Sequence, residues 1–172
     1  MSIQQKVIPM DVLSKIVTAD KLAARLDEAR VFGKRVVFTN GCFDILHVGH
    51  VRYLAAAGAE GDLLVVGMNS DVSVRSIKGD KRPIVHQDQR AEVLASLACV
   101  DYVVLFDSPD PLALIQTLKP DVLVKGADWS EETIIGGEFV KTNGGSVVRM
   151  SLVPEVSTSQ IIEKILKLHR QD

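Results

Sequence analysis

The 172-residue sequence predicts an α/β fold with an open, doubly wound, five-stranded parallel sheet. Five short runs rich in Val, Ile and Leu alternate with longer amphipathic segments along the chain. The runs are continuously apolar, which is typical of parallel strands that helices cover on both faces. Hydrophobic residues make up 47% of the chain and charged residues 24%, so there is enough apolar surface for one packed core and disorder is not expected.

The predicted elements follow one another in strand–helix order from residue 35. The continuous apolar runs predict strands at Arg35–Thr39, Leu63–Met68, Tyr102–Phe106, Val122–Lys125 and Ser146–Met150. Amphipathic spacing predicts helices at Asp20–Arg30, Gly49–Gly58, Asp88–Ala98, Pro111–Leu118 and Thr158–Leu168.

Local signals place the ends of these helices. Thr18 or Asp20 is the expected N-cap of the first helix, and Gly33 is its expected stop. Asp88 is the expected N-cap of the helix Asp88–Ala98. Pro120 is expected to end the helix Pro111–Leu118. We therefore expect a leader over residues 1–19 and a single domain over residues 20–172, with the Asp20 helix packed on that domain.

Composition argues against several classes of partner. Twenty Lys+Arg and 22 Asp+Glu give a formal charge of -2, which argues against a bulk electrostatic grip on nucleic acid or on an anionic membrane. No apolar run reaches the roughly 18 residues needed to cross a bilayer, and no secretory signal is recognised. Cys42 and Cys99 form no C-x-x-C pattern, so we expect two reduced thiols in a cytoplasmic protein and no metal site.

The loop after the first predicted strand carries the strongest functional signal. Ligands of open parallel sheets bind beyond the carboxyl ends of the strands, and a helix N-terminus attracts phosphate. His47 and His50 fall at i, i+3 in the first helical turn, so both rings would face one side and donate to phosphate oxygens. Gly41 is expected to permit a sharp turn, and Gly49 a close approach of a nucleotide. An H-x-x-H pair also occurs by chance in helices, and it is the strand, turn and helix start around it that favour a site.

Motifs along the chain resemble those of a known superfamily. The stretch GCFDILHVGH at residues 41–50 resembles the H-x-G-H signature of the nucleotidyltransferases that include the cytidylyltransferases. The further matching motifs are MNSD at 68–71, KGDKRPI at 78–84, VDYVV at 100–104, PDVLVKG at 120–126 and STSQII at 157–162. Together they resemble the heptose branch of the superfamily, the adenylyltransferases for D-glycero-β-D-manno-heptose 1-phosphate, over roughly residues 20–168.

The resemblance implies a Rossmann-like nucleotidyltransferase fold and a specific reaction. A phosphate oxygen of the heptose 1-phosphate attacks the α-phosphorus of ATP, pyrophosphate leaves, and ADP-heptose forms for lipopolysaccharide core biosynthesis. Because the attacking group is already an anion, catalysis reduces to positioning and charge neutralisation. The resemblance also implies Mg2+ carried mostly by the ATP phosphates, a homo-oligomer, and a separate heptose kinase that supplies the sugar 1-phosphate.

Site residues are carried over from the matching motifs. The implied catalytic residues are His47, His50 and Lys81. The implied nucleotide-binding residues are Asn40, Gly41, Cys42, Phe43, Gly49, Lys125, Gly126, Asp128, Ser157, Thr158 and Ser159. The implied substrate-binding residues are Asp44, Asn69, Asp71, Lys78, Arg82 and Arg90.

Several of these residues also fit a purely structural role. Asp44 fits a turn or capping residue, and Arg90 fits a surface ion pair. Lys78, Lys81 and Arg82 are expected on a mobile polar loop, which is also what a solvated basic loop looks like.

Three further positions leave alternatives of the same kind. The turn at 69–71 fits a helix cap as well as a sugar contact, and the hydroxyls at 157–159 fit a cap as well as a triphosphate site. Trp129 fits a wall of the site or a core residue.

Two departures from the related motifs bear on the nucleotide. Residues 153–156 read VPEV where related cytidylyltransferases carry R-T-x-G, which argues against a cytidylyltransferase. Ala127 follows Gly126 where the heptose branch often has a second glycine, so a methyl group lies near the expected nucleotide. The alternative function is a cytidylyltransferase for glycerol 3-phosphate or an alkylamine phosphate, and a third is a nucleotide sensor without turnover.

Overall fold

A single five-stranded parallel sheet organises the computed structural model, which describes residues 10–128, 130–151 and 156–169. The strands are β1 Val36–Gly41, β2 Leu63–Asn69, β3 Tyr102–Phe106, β4 Val122–Gly126 and β5 Ser146–Met150. Their order across the sheet is β3-β2-β1-β4-β5, and every neighbouring pair is parallel. This confirms the predicted fold class and all five predicted strands to within a residue or two at each end.

Eight α-helices and one short 3-10 helix are present in the described residues. The helices are α1 Met10–Leu13, α2 Ala19–Val31, α3 Val48–Gly58, α4 Asp71–Lys78, α5 Gln87–Ala95, α6 Leu112–Leu118, α7 Gly137–Thr142 and α8 Thr158–His169, with the 3-10 turn at Glu131–Thr133. Within those parts of the chain, no helix is long and apolar enough to span a membrane.

The structure corrects three local expectations. The helix expected to start at Asp88 begins at Gln87, and its N-cap is His86, whose ring accepts the Asp88 N–H at 3.4 Å. The same helix ends at Ala95 rather than Ala98. The segment after β2 is not simply a mobile loop, because Ser70 follows the strand as an N-cap and the next eight residues form α4.

Each face of the sheet is covered by its own layer of helices. On one face, Leu54 of α3 and Leu94 of α5 pack with Val37 and Val66 of the sheet, and all four are fully or almost fully buried. The opposite face is covered by α2, α6 and α7 through a second buried cluster. Burial of apolar side chains on both faces is what makes the strands read as unbroken apolar runs.

The residues just before α2 are joined to the edge of the sheet. Ile16 pairs with Val103 of β3, and the Val17 N–H donates to the Val103 carbonyl at 3.0 Å. The Lys15 ammonium donates to the Val100 carbonyl at 2.8 Å. Part of the expected leader therefore packs on the same sheet, while a domain boundary at residue 20 stays a prediction.

The strand order reverses at β1. The chain passes from β1 outward through β2 to β3, and then returns to the other side of β1 with β4 and β5. The connections after β1 and β4 therefore lead to helices on opposite faces of the sheet, α3 and α7, which leaves a crevice at the carboxyl ends of these strands. The candidate site lies in that crevice.

Candidate active site

A cavity of about 530 Å³ lies at the carboxyl ends of the strands, within the size range of small-molecule sites. Loops after β1, β2, β3 and β4 and the start of α8 all contribute to its wall. The lining residues are Asn40, Gly41, Cys42, Phe43, Asp44, His47, Gly49, His50, Tyr53, Asn69, Ile77, Lys78, Arg82, Pro109, Pro111, Lys125, Gly126, Asp128, Ile135, Val156, Ser157, Thr158 and Ser159. Of the residues expected at the site, only Asp71, Lys81 and Arg90 are absent from this lining.

Two stacked imidazoles form the centre of the cavity. His47 is the N-cap residue of α3 and His50 lies in its first turn, which places the rings face to face with centroids 3.8 Å apart and planes 23° apart. The edge of the His50 ring meets Phe43, with centroids 5.2 Å apart. The Nδ1 atoms of both histidines are buried and have no hydrogen-bond partner among the described residues. Buried polar atoms are nearly always paired, so this unpaired couple marks a place for a ligand.

Burial keeps both rings neutral near pH 7. It lowers the pKa of His50 to about 4, with the neighbouring His47 adding to the effect and the backbone of Ile45 opposing it. Burial also lowers the pKa of His47. Each neutral ring keeps one N–H donor, and the negative charge of a phosphate would favour a second proton on it.

The backbone before the histidines turns at Phe43 rather than at Gly41. Phe43 has φ of 45°, a left-handed conformation that a bulky residue adopts only at a cost. Gly41 has no positive φ, so the expected turn at this glycine is wrong. Its lack of a side chain serves packing instead, because a Cβ there would lie 3.0 Å from the Phe43 ring.

Asp44 is committed to protein groups and is buried, with 3% of its surface exposed. Its carboxylate accepts from Arg82 Nε at 2.5 Å, from the Ile84 N–H at 2.8 and 2.9 Å, and from the Val85 N–H at 2.9 Å. Burial acts to raise the pKa of Asp44, but the Val85 and Ile84 N–H groups and the Arg82 guanidinium outweigh it and hold that pKa below its ordinary value. The carboxylate is therefore ionised and joins the β1 loop to the segment after α4.

Arg90 is a buried hub and forms no surface ion pair. Only 2% of its surface is exposed, and Nη2 donates to Asp71 Oδ1 at 2.7 Å. The other nitrogens donate to the carbonyls of Val85 at 2.9 Å, of Asn69 at 2.9 Å and of Cys42 at 2.5 Å. Arg90 and Asp71 thus join the ends of β1 and β2, and neither residue belongs to the lining of the cavity. Their expected contact with the substrate stays a prediction.

The three basic residues expected on one mobile loop occupy different places. Lys78 is the last residue of α4 and lines the cavity together with Arg82. Lys81 lies exposed in the turn between them and does not reach the lining. Its expected catalytic role therefore has no support in this geometry.

Lys125 reaches the switch point from β4. The residue is 9% exposed, and its ammonium donates to Asn40 Oδ1 on the neighbouring β1. Burial lowers the pKa of Lys125 to about 8, and the nearby Asp128 opposes that shift. A largely protonated amine thus stands in a desolvated position, where it stabilises negative charge more strongly than it would in water.

Tyr53, for which the sequence predicted no role, connects α3 with the strands β1 and β4. Its hydroxyl pairs with Thr39 Oγ1 at 2.8 Å and donates to the Val124 carbonyl at 3.2 Å. Burial raises the pKa of Tyr53 to about 12, so the hydroxyl stays protonated. The signal was available, because Tyr53 lies three residues after His50 and so on the same helical face.

The start of α8 closes the cavity opposite α3. Ser157 Oγ accepts the Gln160 N–H at 3.2 Å as a cap, and Thr158 Oγ1 donates to the Ile45 carbonyl at 3.4 Å. The capping role considered for these hydroxyls is therefore real for Ser157. Both residues also line the cavity, beside the unpaired N–H groups that begin a helix.

Metal-ligating side chains do not cluster in the described residues. No group of three or more His, Cys, Asp and Glu residues is placed there to hold an ion. Of the lining carboxylates, Asp44 is hydrogen-bonded to the segment after α4, and Asp128 is exposed at the rim. Trp129 and residues 153–155, which the sequence reading also singled out, lie outside the described residues.

Comparison with known proteins identifies the family. The cytidylyltransferase-like family model matches residues 38–164. The "Bifunctional protein HldE" of Geobacter sulfurreducens is 52% identical over 167 residues, which are 97% of this chain and 32% of that protein. The protein of the same name from Citrifermentans bemidjiense is 56% identical over 153 residues, 89% of this chain and 31% of that protein. The chain thus spans about a third of the length of these curated relatives.

Two solved structures share the fold. The lipopolysaccharide core biosynthesis protein from Thermoplasma volcanium superposes with a TM-score of 0.58 at 29% identity, covering 70% of this chain and 98% of that one. The pantoate-beta-alanine ligase from Francisella tularensis has a TM-score of 0.58 at 16% identity, covering 91% and 79%, and supports the fold alone. Because the family match covers well over half of the residues, the chain belongs to the cytidylyltransferase-like family of nucleotidyltransferases.

Proposed function

We propose that the chain transfers AMP from ATP to D-glycero-β-D-manno-heptose 1-phosphate, giving ADP-heptose and pyrophosphate. The observation that carries the proposal is the stacked His47 and His50 pair, whose buried Nδ1 atoms lack partners inside a cavity at the switch point. The heptose acceptor is supported by the KGDKRPI and PDVLVKG motifs. It is also supported by relatives named HldE and by a structural neighbour named for lipopolysaccharide core biosynthesis.

In the proposed reaction, a phosphate oxygen of the sugar 1-phosphate attacks the α-phosphorus of ATP. The new bond joins that oxygen to the α-phosphorus, and the bond from the α-phosphorus to the bridging oxygen of the β-phosphate breaks. Pyrophosphate leaves with that electron pair. The nucleophile is already anionic, so the protein supplies position and charge neutralisation and needs no strong base.

The residues of the cavity divide this work between them. His47 and His50 donate to the oxygens of the α- and β-phosphates, where negative charge grows as the leaving group departs. Lys125 adds a positive charge from β4, and the first N–H groups of α8 hold the outer phosphates. Lys78 and Arg82, on the β2 side of the cavity, are placed for the phosphate of the acceptor.

Magnesium enters this scheme as the counter-ion of ATP. The described residues form no cage for a cation, so Mg2+ would be held mainly by the phosphates of the nucleotide. We further propose a homo-oligomer acting in the cytoplasm, where ATP is available, on a sugar 1-phosphate made by a heptose kinase.

A panel of nucleotides and acceptors tests the proposal. The protein is incubated with Mg2+ and either ATP or CTP, together with heptose 1-phosphate or glycerol 3-phosphate, and pyrophosphate release is measured. We expect pyrophosphate release from the combination of ATP with heptose 1-phosphate and from none of the other three combinations. Release only with CTP and glycerol 3-phosphate would establish the cytidylyltransferase alternative, and binding of ATP without release would establish a sensor.

A further inference from the structure

We propose that Asp44 is a positioning residue that presets the guanidinium of Arg82 as a two-pronged receptor for the phosphate of the acceptor. This inference rests on the proposed function and deepens it. It assigns acceptor recognition to a carboxylate that never touches the substrate.

The first step is the geometry of the Asp44 carboxylate. Its side chain is fully buried, and both oxygens are occupied by donors from the segment Gly79–Val85. Oδ2 receives Arg82 Nε, Oδ1 receives the Val85 N–H, and the Ile84 N–H is shared between them. A carboxylate that is saturated in this way has no lone pair left for a sugar hydroxyl.

The second step is what the contact leaves available on Arg82. Asp44 uses only the Nε atom, and no hydrogen bond or ion pair of the two Nη atoms is present in the described residues. The side chain is 16% exposed and lines the cavity. A guanidinium held at Nε presents its two Nη groups as a fork that matches two phosphate oxygens.

The third step is the convergence of charge on the β1 loop. Lys78, Arg90 and Arg82 all act electrostatically on the Cys42 thiol, which lines the same cavity. Arg90 is already bonded to Asp71 and to three backbone carbonyls. Of these three cations, Lys78 and Arg82 are therefore the two that remain for the phosphate of the acceptor. Two cations beside one anion, Asp44, leave a net positive charge for a dianionic phosphate monoester.

The fourth step is the attachment of the segment that carries Arg82. It starts at Gly79, with φ of 88°, and makes a turn in which the Arg82 N–H donates to the Gly79 carbonyl at 3.0 Å. All three donors that this segment offers to the β1 loop, which are Arg82 Nε and the Ile84 and Val85 N–H groups, go to the Asp44 carboxylate. The Val85 carbonyl of the segment accepts from Arg90 of α5. Removal of the charge on Asp44 therefore frees Arg82 and the segment together.

The test is a double-mutant cycle on pyrophosphate release, with Asp44→Asn and Arg82→Lys singly and combined. An amide at 44 keeps the shape but must point its NH2 group at one of the donors, and lysine at 82 keeps the charge but lacks Nε and the fork. Asp62→Asn is the matched control, because Asp62 also accepts a backbone N–H, from Arg35 at 2.8 Å, and pairs with Lys34, but lies at the opposite ends of the strands. KM for heptose 1-phosphate, KM for ATP and kcat are measured for each variant.

We expect each single variant to raise the acceptor KM about tenfold or more while the ATP KM changes less than about twofold. The acceptor KM of the double variant should exceed that of the more impaired single variant by no more than about twofold, because both changes remove the same fork. Asp62→Asn should leave all three constants unchanged.

Equal increases in both KM values, or fully additive effects in the cycle, would overturn the positioning role. If Asp44→Asn does not fold, Arg82→Lys decides alone, and an unchanged acceptor KM contradicts the inference. Absence of pyrophosphate release by the wild-type protein would instead contradict the proposed function, so the two failures are distinguishable.

Discussion

At the scale of single residues, the imidazoles of His47 and His50 are the centre of the proposed phosphate site. Both rings stand at the start of α3, and burial lowers the pKa of both, more strongly for His50. Each keeps one buried nitrogen without a partner among the described residues. Burying a polar atom without a hydrogen bond lowers the stability of the fold, and such atoms are found mainly at functional sites, where a ligand supplies the missing bond. A phosphate between the rings and the helix N-terminus would satisfy both orphaned nitrogens.

The first prediction concerns His50. Replacement by alanine (His50→Ala) should lower turnover about 100-fold or more, because it removes a donor aimed at growing charge, while ATP binding stays measurable. Pyrophosphate release and nucleotide titration check the two parts separately. His169→Ala, at the far end of α8, is the control, and a turnover of His50→Ala within threefold of the wild type would show that His50 has no catalytic role.

The second prediction concerns pH and stability. The folded pKa of His50, about 4, lies below its unfolded value of about 6.5, so the unfolded chain binds more protons between these values. The free energy of unfolding should therefore fall as pH drops from 6.5 to 4, by roughly 2 kcal/mol after allowance for partial exposure.

Urea unfolding at several pH values checks this, and His50→Gln should remove most of the slope. The lowered pKa of His47 acts in the same direction and contributes to the remaining slope. A His50→Gln variant with the full wild-type slope would contradict the assignment of the slope to His50.

At the scale of elements, α3 delivers three site residues from one face. His47, His50 and Tyr53 follow at intervals of three, and the Tyr53 hydroxyl links Thr39 of β1 to the Val124 carbonyl of β4. The helix is thereby fixed over the point where the two central strands diverge. The position of the histidines thus depends on packing at Tyr53 as well as on the helix start.

The third prediction concerns this link. Tyr53→Phe should lower the free energy of unfolding by about 1–2 kcal/mol, because Thr39 is fully buried and would lose its hydroxyl partner. Tyr102→Phe is the matched control, since Tyr102 also packs its ring against a buried cluster, while no hydrogen bond of its hydroxyl is present in the described residues. Equal losses in the two variants would contradict a specific role for the Tyr53 hydroxyl.

Elements differ in how far sequence could predict them. The five strands were recognisable because burial on both faces leaves only apolar residues in them. The helix α4 was missed because Asp71–Lys78 is short and has polar residues at five of its eight positions, so its charges were taken for a loop. The helix α7 was missed because its six residues, which begin at the second of two glycines, give less than two turns of periodicity.

At the scale of the whole molecule, the order of the strands assembles the site. Every expected nucleotide residue lines the cavity, because each lies at the end of a strand, shortly after it, or at the start of a helix at the carboxyl edge. Side-chain direction was not predictable in the same way, and Asp71 and Arg90 turned out to face each other behind the cavity. Ile77, Pro109 and Ile135 were missed because their place on the wall depends on how separate loops meet in space.

The most direct measurement of the central claim follows the phosphorus atoms of ATP. The protein is incubated with Mg2+, heptose 1-phosphate and ATP labelled at either the α- or the γ-phosphate, and the sugar product and pyrophosphate are separated. We predict that the α-label appears in a sugar nucleotide, with one pyrophosphate released for each molecule formed and the γ-label recovered only in that pyrophosphate. Transfer of the γ-label to the sugar, or release of the α-label as free AMP, would contradict nucleotidyl transfer in this cavity.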